Sequence, residues 1–256
     1  MDHEMVAEAV RVSGTFGGHV LPGAMFIGWA LFWYAAAMRS GAASGPALEP
    51  GATMPVIKVT LPLVGVWVEI PGTGWYPMDV MMNWQHITMY AVFGLAGVVD
   101  LLALAGRVPA QSTRVAYAAA HLNAGFLFLG HVSHGGVEGV AHALLAALFA
   151  AAAGAALLEI ARPSAATAWT RRATLLAVGL WFVVVGLILY RSGWDPTDPV
   201  RVGWTFTAFS WTAVAVGALT VTASLLARRA RVPSGSGAAP AAAGALSGRG
   251  LARRQD

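Results

Sequence analysis

Cysteine is absent from the 256 residues, which excludes disulfides and thiolate metal sites and leaves the redox compartment unread. Lysine is nearly absent: Lys58 stands alone, so the net charge of +4 comes from arginine. Charged residues of all kinds make up only 11%, against roughly 25% in ordinary soluble domains. The G-x-S-x-G, Walker and H-E-x-x-H signatures are missing, which removes the common hydrolase, nucleotide and zincin readings. The short, evenly spaced alternation of a membrane barrel is missing too, as is any fixed-period repeat. Met1–Arg11 is acidic and polar rather than a basic leader, so no cleavable signal peptide is expected.

What the chain does have is apolar sequence: 57% of residues are hydrophobic, and the mean hydropathy is +0.63. Several apolar runs reach about 18 residues, enough to cross a hydrocarbon core of about 30 Å. The expected fold is all-α, a polytopic seven-helix transmembrane bundle occupying residues 1–231. Spans are expected at 20–38, 56–70, 84–105, 114–131, 138–161, 172–190 and 203–227, the second short and holding Pro62. Residues 232–256 form a basic Pro/Gly/Ala tail expected to be disordered.

The cations orient the bundle. Arg39 and Lys58 are assigned between spans 1 and 2, Arg107 and Arg114 between 3 and 4, Arg162, Arg171 and Arg172 between 5 and 6, and Arg228, Arg229 and Arg231 after span 7. The alternate loops are poor in them, so the N-terminus is expected outside and the C-terminus in the cytoplasm. Tyr34, Trp75, Tyr76, Trp84, Tyr190, Trp194 and Trp204 fall near span ends, as an interfacial belt would. The expected location is a bacterial-type plasma membrane, with lipids as partners. The arginines flank spans, so nucleic acid is not an expected partner.

This topology gathers histidine at one face. His19 opens span 1, His86 opens span 3, His131 and His134 end span 4, and His142 lies one turn into span 5, all on the outer side. His121 lies deeper, near the middle of span 4. His131 and His134 are three apart and share a helical face, and Gly135-Gly136 is expected to break the helix so that spans 4 and 5 face each other. On span 3, His86, Tyr90, Phe93, Gly97 and Asp100 form one stripe. Imidazoles with nearby carboxylates such as Glu69 suit Zn²⁺, Cu or Fe. Met78, Met81, Met82 and Met89 add thioethers around His86, which favour Cu(I). The bland alternative is that interfacial histidines merely bond backbone carbonyls and the methionines merely pack. Deeper, Asp100 and Glu159 are intramembrane acids and candidate stations of an ion or proton path. Arg162 at i+3 is the simple partner for Glu159, and Arg107 or Arg114 is the candidate partner for Asp100.

Four stretches carry a family resemblance: Gly18–Gly23 (G-H-V-L-P-G), Gln85–Asp100 (Q-H-I-T-M-Y-A-V-F-G-L-A-G-V-V-D), His131–Gly135 (H-V-S-H-G) with His142 after it, and Leu180–Tyr190 (L-W-F-V-V-V-G-L-I-L-Y). In these the chain resembles the transmembrane-protein-45 family, seven-span proteins of largely unassigned function. The resemblance implies a seven-helix bundle with polar positions at His19, His86, Asp100, His134 and His142. It departs at Trp211-Thr212, where members carry a histidine after the tryptophan, and at Gly125, where they can carry a glutamate.

Three functions remain open at this point. The first is a membrane protein that binds Cu or Zn through His86, His131, His134 and His142, completed by His19 or His121, for metal uptake, storage or transport. The second is a membrane-embedded Zn- or Fe-dependent lipid hydrolase or oxidase, with bis-imidazole haem as a variant and Glu69 or Asp100 as base. The third is a non-catalytic scaffold or receptor-like bundle, in which no two imidazoles come within reach of one metal.

Overall fold

A computed structural model of the chain describes residues 14–40, 51–70, 81–130 and 135–229. They form α1 (Phe16–Ser40), α2 (Thr53–Glu69), α3 (Met81–Leu104), α4 (Ser112–Leu129), α5 (Gly136–Ala161), α6 (Ala165–Tyr190) and α7 (Pro199–Arg229), with no strand among the described residues. The expected tail at 232–256 lies outside them. Five helices, α1, α3, α5, α6 and α7, are long and apolar enough to cross a membrane. The other two are the polar ones: α2 has 17 residues including Lys58 and Pro62, and α4 has 18 including Arg114, His121 and Asn123. The exterior is apolar in the way a lipid-facing surface is, with Phe126, Trp67 and Trp211 pointing outward at 73%, 70% and 69% exposure.

Two boundaries shift for local reasons. Helix α6 begins at Ala165 rather than 172, because Ser164 and Thr167 cap it reciprocally. Ser164 Oγ accepts from the Thr167 N–H at 3.1 Å, and Thr167 Oγ1 accepts from the Ser164 N–H at 3.0 Å. Arg171 and Arg172 therefore sit inside the helix, and both are buried. The expected break before α5 is present: Gly135 and Gly136 have φ of +69° and +53°, a left-handed conformation that glycine adopts without penalty. The Val137 N–H then donates to the Pro196 carbonyl of the α6–α7 loop at 2.8 Å.

The helices pack as α2 on α3, α3 on α4, α4 on α5, α5 on α6 and α6 on α1, with α7 against α5, α6 and α1. The α1–α6 contact is backbone to backbone. A Cβ on Gly179 would lie 2.7 Å from the Ile27 nitrogen, and one on Gly23 would lie 2.9 Å from the Gly179 carbonyl. Small residues permit that approach, which dispersion then rewards. Between α1 and the α2–α3 hairpin there is no such packing among the described residues; a cavity of about 790 Å³ lies there instead. Two residues expected in the interfacial belt face inward: Tyr34 is buried and hydrogen-bonded to the Thr220 hydroxyl at 2.5 Å, and Tyr190 lies over the His19 ring, centroids 5.4 Å apart.

Because the Gly179 contact leaves no room for a methyl, Gly179→Val should destabilise the detergent-solubilised protein by about 1–3 kcal/mol. Gly154→Ala, where an added Cβ meets nothing within 4 Å, should leave the melting temperature unchanged. Equal melting curves for the two variants would contradict the close α1–α6 contact.

Candidate functional site

The cavity is walled by apolar side chains: Met25, Phe26 and Phe32 from α1, Leu61 from α2, and Met89 and Phe93 from α3. Phe128, Phe149 and Phe182 close its back. It runs along α1 from Thr15 to Phe32, about 25 Å at 1.5 Å per helical residue. Polar groups enter it at three places: His19 with His142, Glu69 with Asn83 and His86, and Lys58.

His19 lies in the first turn of α1 and His142 in the second turn of α5. Their Nε2 atoms are 3.3 Å apart. Each ring is oriented by its own helix: His19 Nδ1 donates to the Thr15 carbonyl at 3.1 Å, and His142 Nδ1 to the Glu138 carbonyl at 2.9 Å. A carbonyl only accepts, so both Nδ1 atoms carry hydrogen, and in the neutral rings both Nε2 atoms are lone pairs. Two lone pairs at that distance repel unless a cation, a proton or a metal ion, lies between them. Phe128 stacks on His142 at 5.7 Å and 10°, and the Trp181 Nε1–H donates to the Ala141 carbonyl at 3.0 Å, which fixes α5 beside α6 at this level.

Across the cavity Glu69, the last residue of α2, accepts from Asn83 Nδ2 at 2.6 Å and bonds His86 Nδ1 at 3.2 Å. The structure thus brings His19, His86, His142, Glu69 and Met89, all singled out in the sequence, to one cavity. His121 is not with them. It is fully buried in an aromatic cage, its Nδ1 donating to the Tyr117 carbonyl at 2.8 Å and its ring 3.9 Å from that of Tyr117. Its Nε2 has no hydrogen-bond partner among the described residues. His131, His134 and Met78 lie outside the described residues, as do the side chains of Met81 and Met82. Among the described residues no group of three His, Asp or Glu is disposed to hold a metal.

The cations depart most from expectation. Lys58 is not a loop charge: it lies in α2, is 8% exposed, and donates to Asp100 Oδ2 at 2.7 Å. Asp100 therefore pairs with Lys58, not with Arg107 or Arg114. Glu159 does not snorkel to Arg162; it accepts from Arg171 Nε at 2.5 Å and from Arg114 Nη2 at 3.4 Å. These arginines turn inward because a carboxylate buried among α4, α5 and α6 needs them. Both intramembrane acids therefore sit against basic partners inside the bundle. Lys58 and Trp29, whose ring lies 4.0 Å from Lys58 Nζ, are cavity residues that spacing alone did not single out. The signal was available: Lys58 is the one lysine in the chain.

Residues 110–202 match the model of a family described as a family of unknown function (DUF716), also called the transmembrane protein 45 family. The matched segment takes in α4, α5, α6 and the loop after it, and so carries Arg114, His121, His142, Glu159 and Arg171.

Removing the carboxylate of Glu159 breaks its buried pairs with Arg171 and Arg114. Glu159→Ala is expected to cost about 3–5 kcal/mol, as for other broken buried pairs, while Arg162→Ala is near neutral. Thermal unfolding of both variants in detergent measures the difference, and a reversed ranking would restore Arg162 as the partner.

Proposed function

We propose that this chain is an integral membrane protein that binds a transition-metal ion between His19 and His142, in the wall of a cavity open between α1 and the α2–α3 hairpin. One observation carries the reading: two imidazole Nε2 lone pairs held 3.3 Å apart by rings that carbonyls fix from behind. Two nitrogens bound to one tetrahedral zinc at about 2.0–2.1 Å lie about 3.3–3.4 Å from each other. The separation therefore favours Zn²⁺ or a similarly bent Cu site. Copper(I) with its ligands opposite one another would hold them further apart. Bis-imidazole haem does not fit, since axial ligands on opposite porphyrin faces cannot approach this closely.

Among the described residues the two ligands are His19 and His142, and both line the cavity. That suits an ion that is exchanged or handed on better than one locked in a closed structural site. The scaffold reading loses ground on the same fact, because it required that no two imidazoles could grip one atom. The enzyme reading keeps one specific support: the cavity is apolar, long, and bears a carboxylate, Glu69, opposite the pair. A metal-bound water attacking a lipid ester would need such an arrangement. In this reading the bundle spans a bacterial-type plasma membrane seven times, with the His19 end outside and the Arg228–Arg229 end in the cytoplasm, as the arginine distribution favours.

Protein purified without chelator and equilibrated with Zn²⁺ is expected to retain about one ion per chain by elemental analysis. His19→Ala and His142→Ala should each lower the affinity at least tenfold without changing the helical spectrum. Because protons compete for the same two lone pairs, affinity should fall as the pH drops from about 7.5 to about 5.5. Wild-type protein that takes up no Zn²⁺ or Cu would leave a shared proton as the cation between the rings and would end the metal reading.

A further inference from the structure

The cavity has a second reactive group, at its far end from the histidine pair, and the metal reading makes no use of it. Lys58 is the only lysine in the chain. It lies in the cavity wall, its Nζ 2.7 Å from Asp100 Oδ2 and 4.0 Å from the Trp29 ring centroid, with Trp33 at 5.4 Å. Close packing fixes its position: a Cβ on Gly97 would lie 2.9 Å from the Lys58 Cβ, so α2 and α3 touch here, and Asp100 follows one turn later. Charge neutralisation alone would be served by arginine, the residue used at Glu159, which is also the better partner for a buried carboxylate. What lysine adds is a primary amine that can become a nucleophile.

We propose that Lys58 forms an imine with a long-chain apolar aldehyde seated in this cavity, with Asp100 as the counter-ion. The ligand class follows from charge and shape. Lys58 and Asp100 together are neutral, so an anionic or cationic head group would leave an uncompensated charge in an apolar site. A neutral carbonyl does not. The wall is aromatic and aliphatic over about 25 Å, and about 790 Å³ falls within the usual range for small-molecule pockets. Asp100 takes a proton from the Lys58 ammonium, and the amine nitrogen adds to the aldehyde carbon to give a carbinolamine. The C–O bond then breaks and water leaves. The proton returns from Asp100, so the sum is RCHO plus R′NH₃⁺ giving RCH=NHR′⁺ and water. The iminium retains the positive charge of the ammonium, so Asp100 has a cationic partner before and after the reaction.

The full chain in detergent would be incubated with hexadecanal, and in parallel with propanal, then reduced with borohydride and mapped by mass spectrometry. The expected result is one hexadecyl adduct on Lys58, formed at least tenfold more readily than the propyl adduct, and its loss in Lys58→Arg. That variant keeps a cation beside Asp100, and its melting temperature reports that it is folded. Labelling confined to the N-terminal amine, or equal labelling of Lys58 by the two aldehydes, overturns the proposal. His142→Ala should label as wild type does, which separates this site from the metal site.

Discussion

Inside a bundle of helices as apolar as these, a buried polar side chain must find its partner in another side chain or in the backbone. Most of this architecture follows from that constraint. Lys58 and Asp100 join α2 to α3, Glu159 joins α5 to α4 and α6 through Arg114 and Arg171, and His19 and His142 join α1 to α5. Replacing a buried ion pair with apolar residues of similar size is often neutral, whereas halving it is costly. Such contacts therefore define which helices are neighbours more than they add stability. The backbone contact at Gly23 and Gly179 serves the same end by dispersion alone.

Helix type, and the rough course of the helices among the described residues, could be read in the sequence, because long apolar runs and their flanking residues are local signals. The His86–Asp100 stripe was legible for the same reason: a helix repeats every 3.6 residues whatever surrounds it. Pairing between helices was not. Nothing near Glu159 says that Arg171 rather than Arg162 will reach it; a serine–threonine cap that starts α6 early decides the matter. Lys58 was read as a topological charge because positive-inside counting treats every cation alike. Its place near a span end put Tyr34 in an interfacial belt, whereas its ring packs on Trp169 and its hydroxyl meets Thr220.

The matched family segment, residues 110–202, forms the back wall of the cavity and supplies His142. The front wall, with His19, Lys58, Glu69 and His86, comes from α1, α2 and α3, outside that segment. The two halves meet at the imidazole pair, one ring from each. The cavity also separates two kinds of chemistry by its length: electron-pair donors at the histidine end, and an amine with its carboxylate at the other. An extended amphiphile could touch both ends at once, whereas a bare ion would meet only the first.

The bond between the Val137 amide and the Pro196 carbonyl has a mechanical corollary. It pins the start of α5 to the strap that joins α6 and α7, so that strap works as a depth gauge for His142, five residues further along. A slip of α5 by a single residue would carry the ring about 1.5 Å along the bundle axis and turn it by about 100°. His19, fastened on α1 to a different partner, would not follow. The alignment of the two rings thus depends in part on a loop that belongs to neither ring's helix.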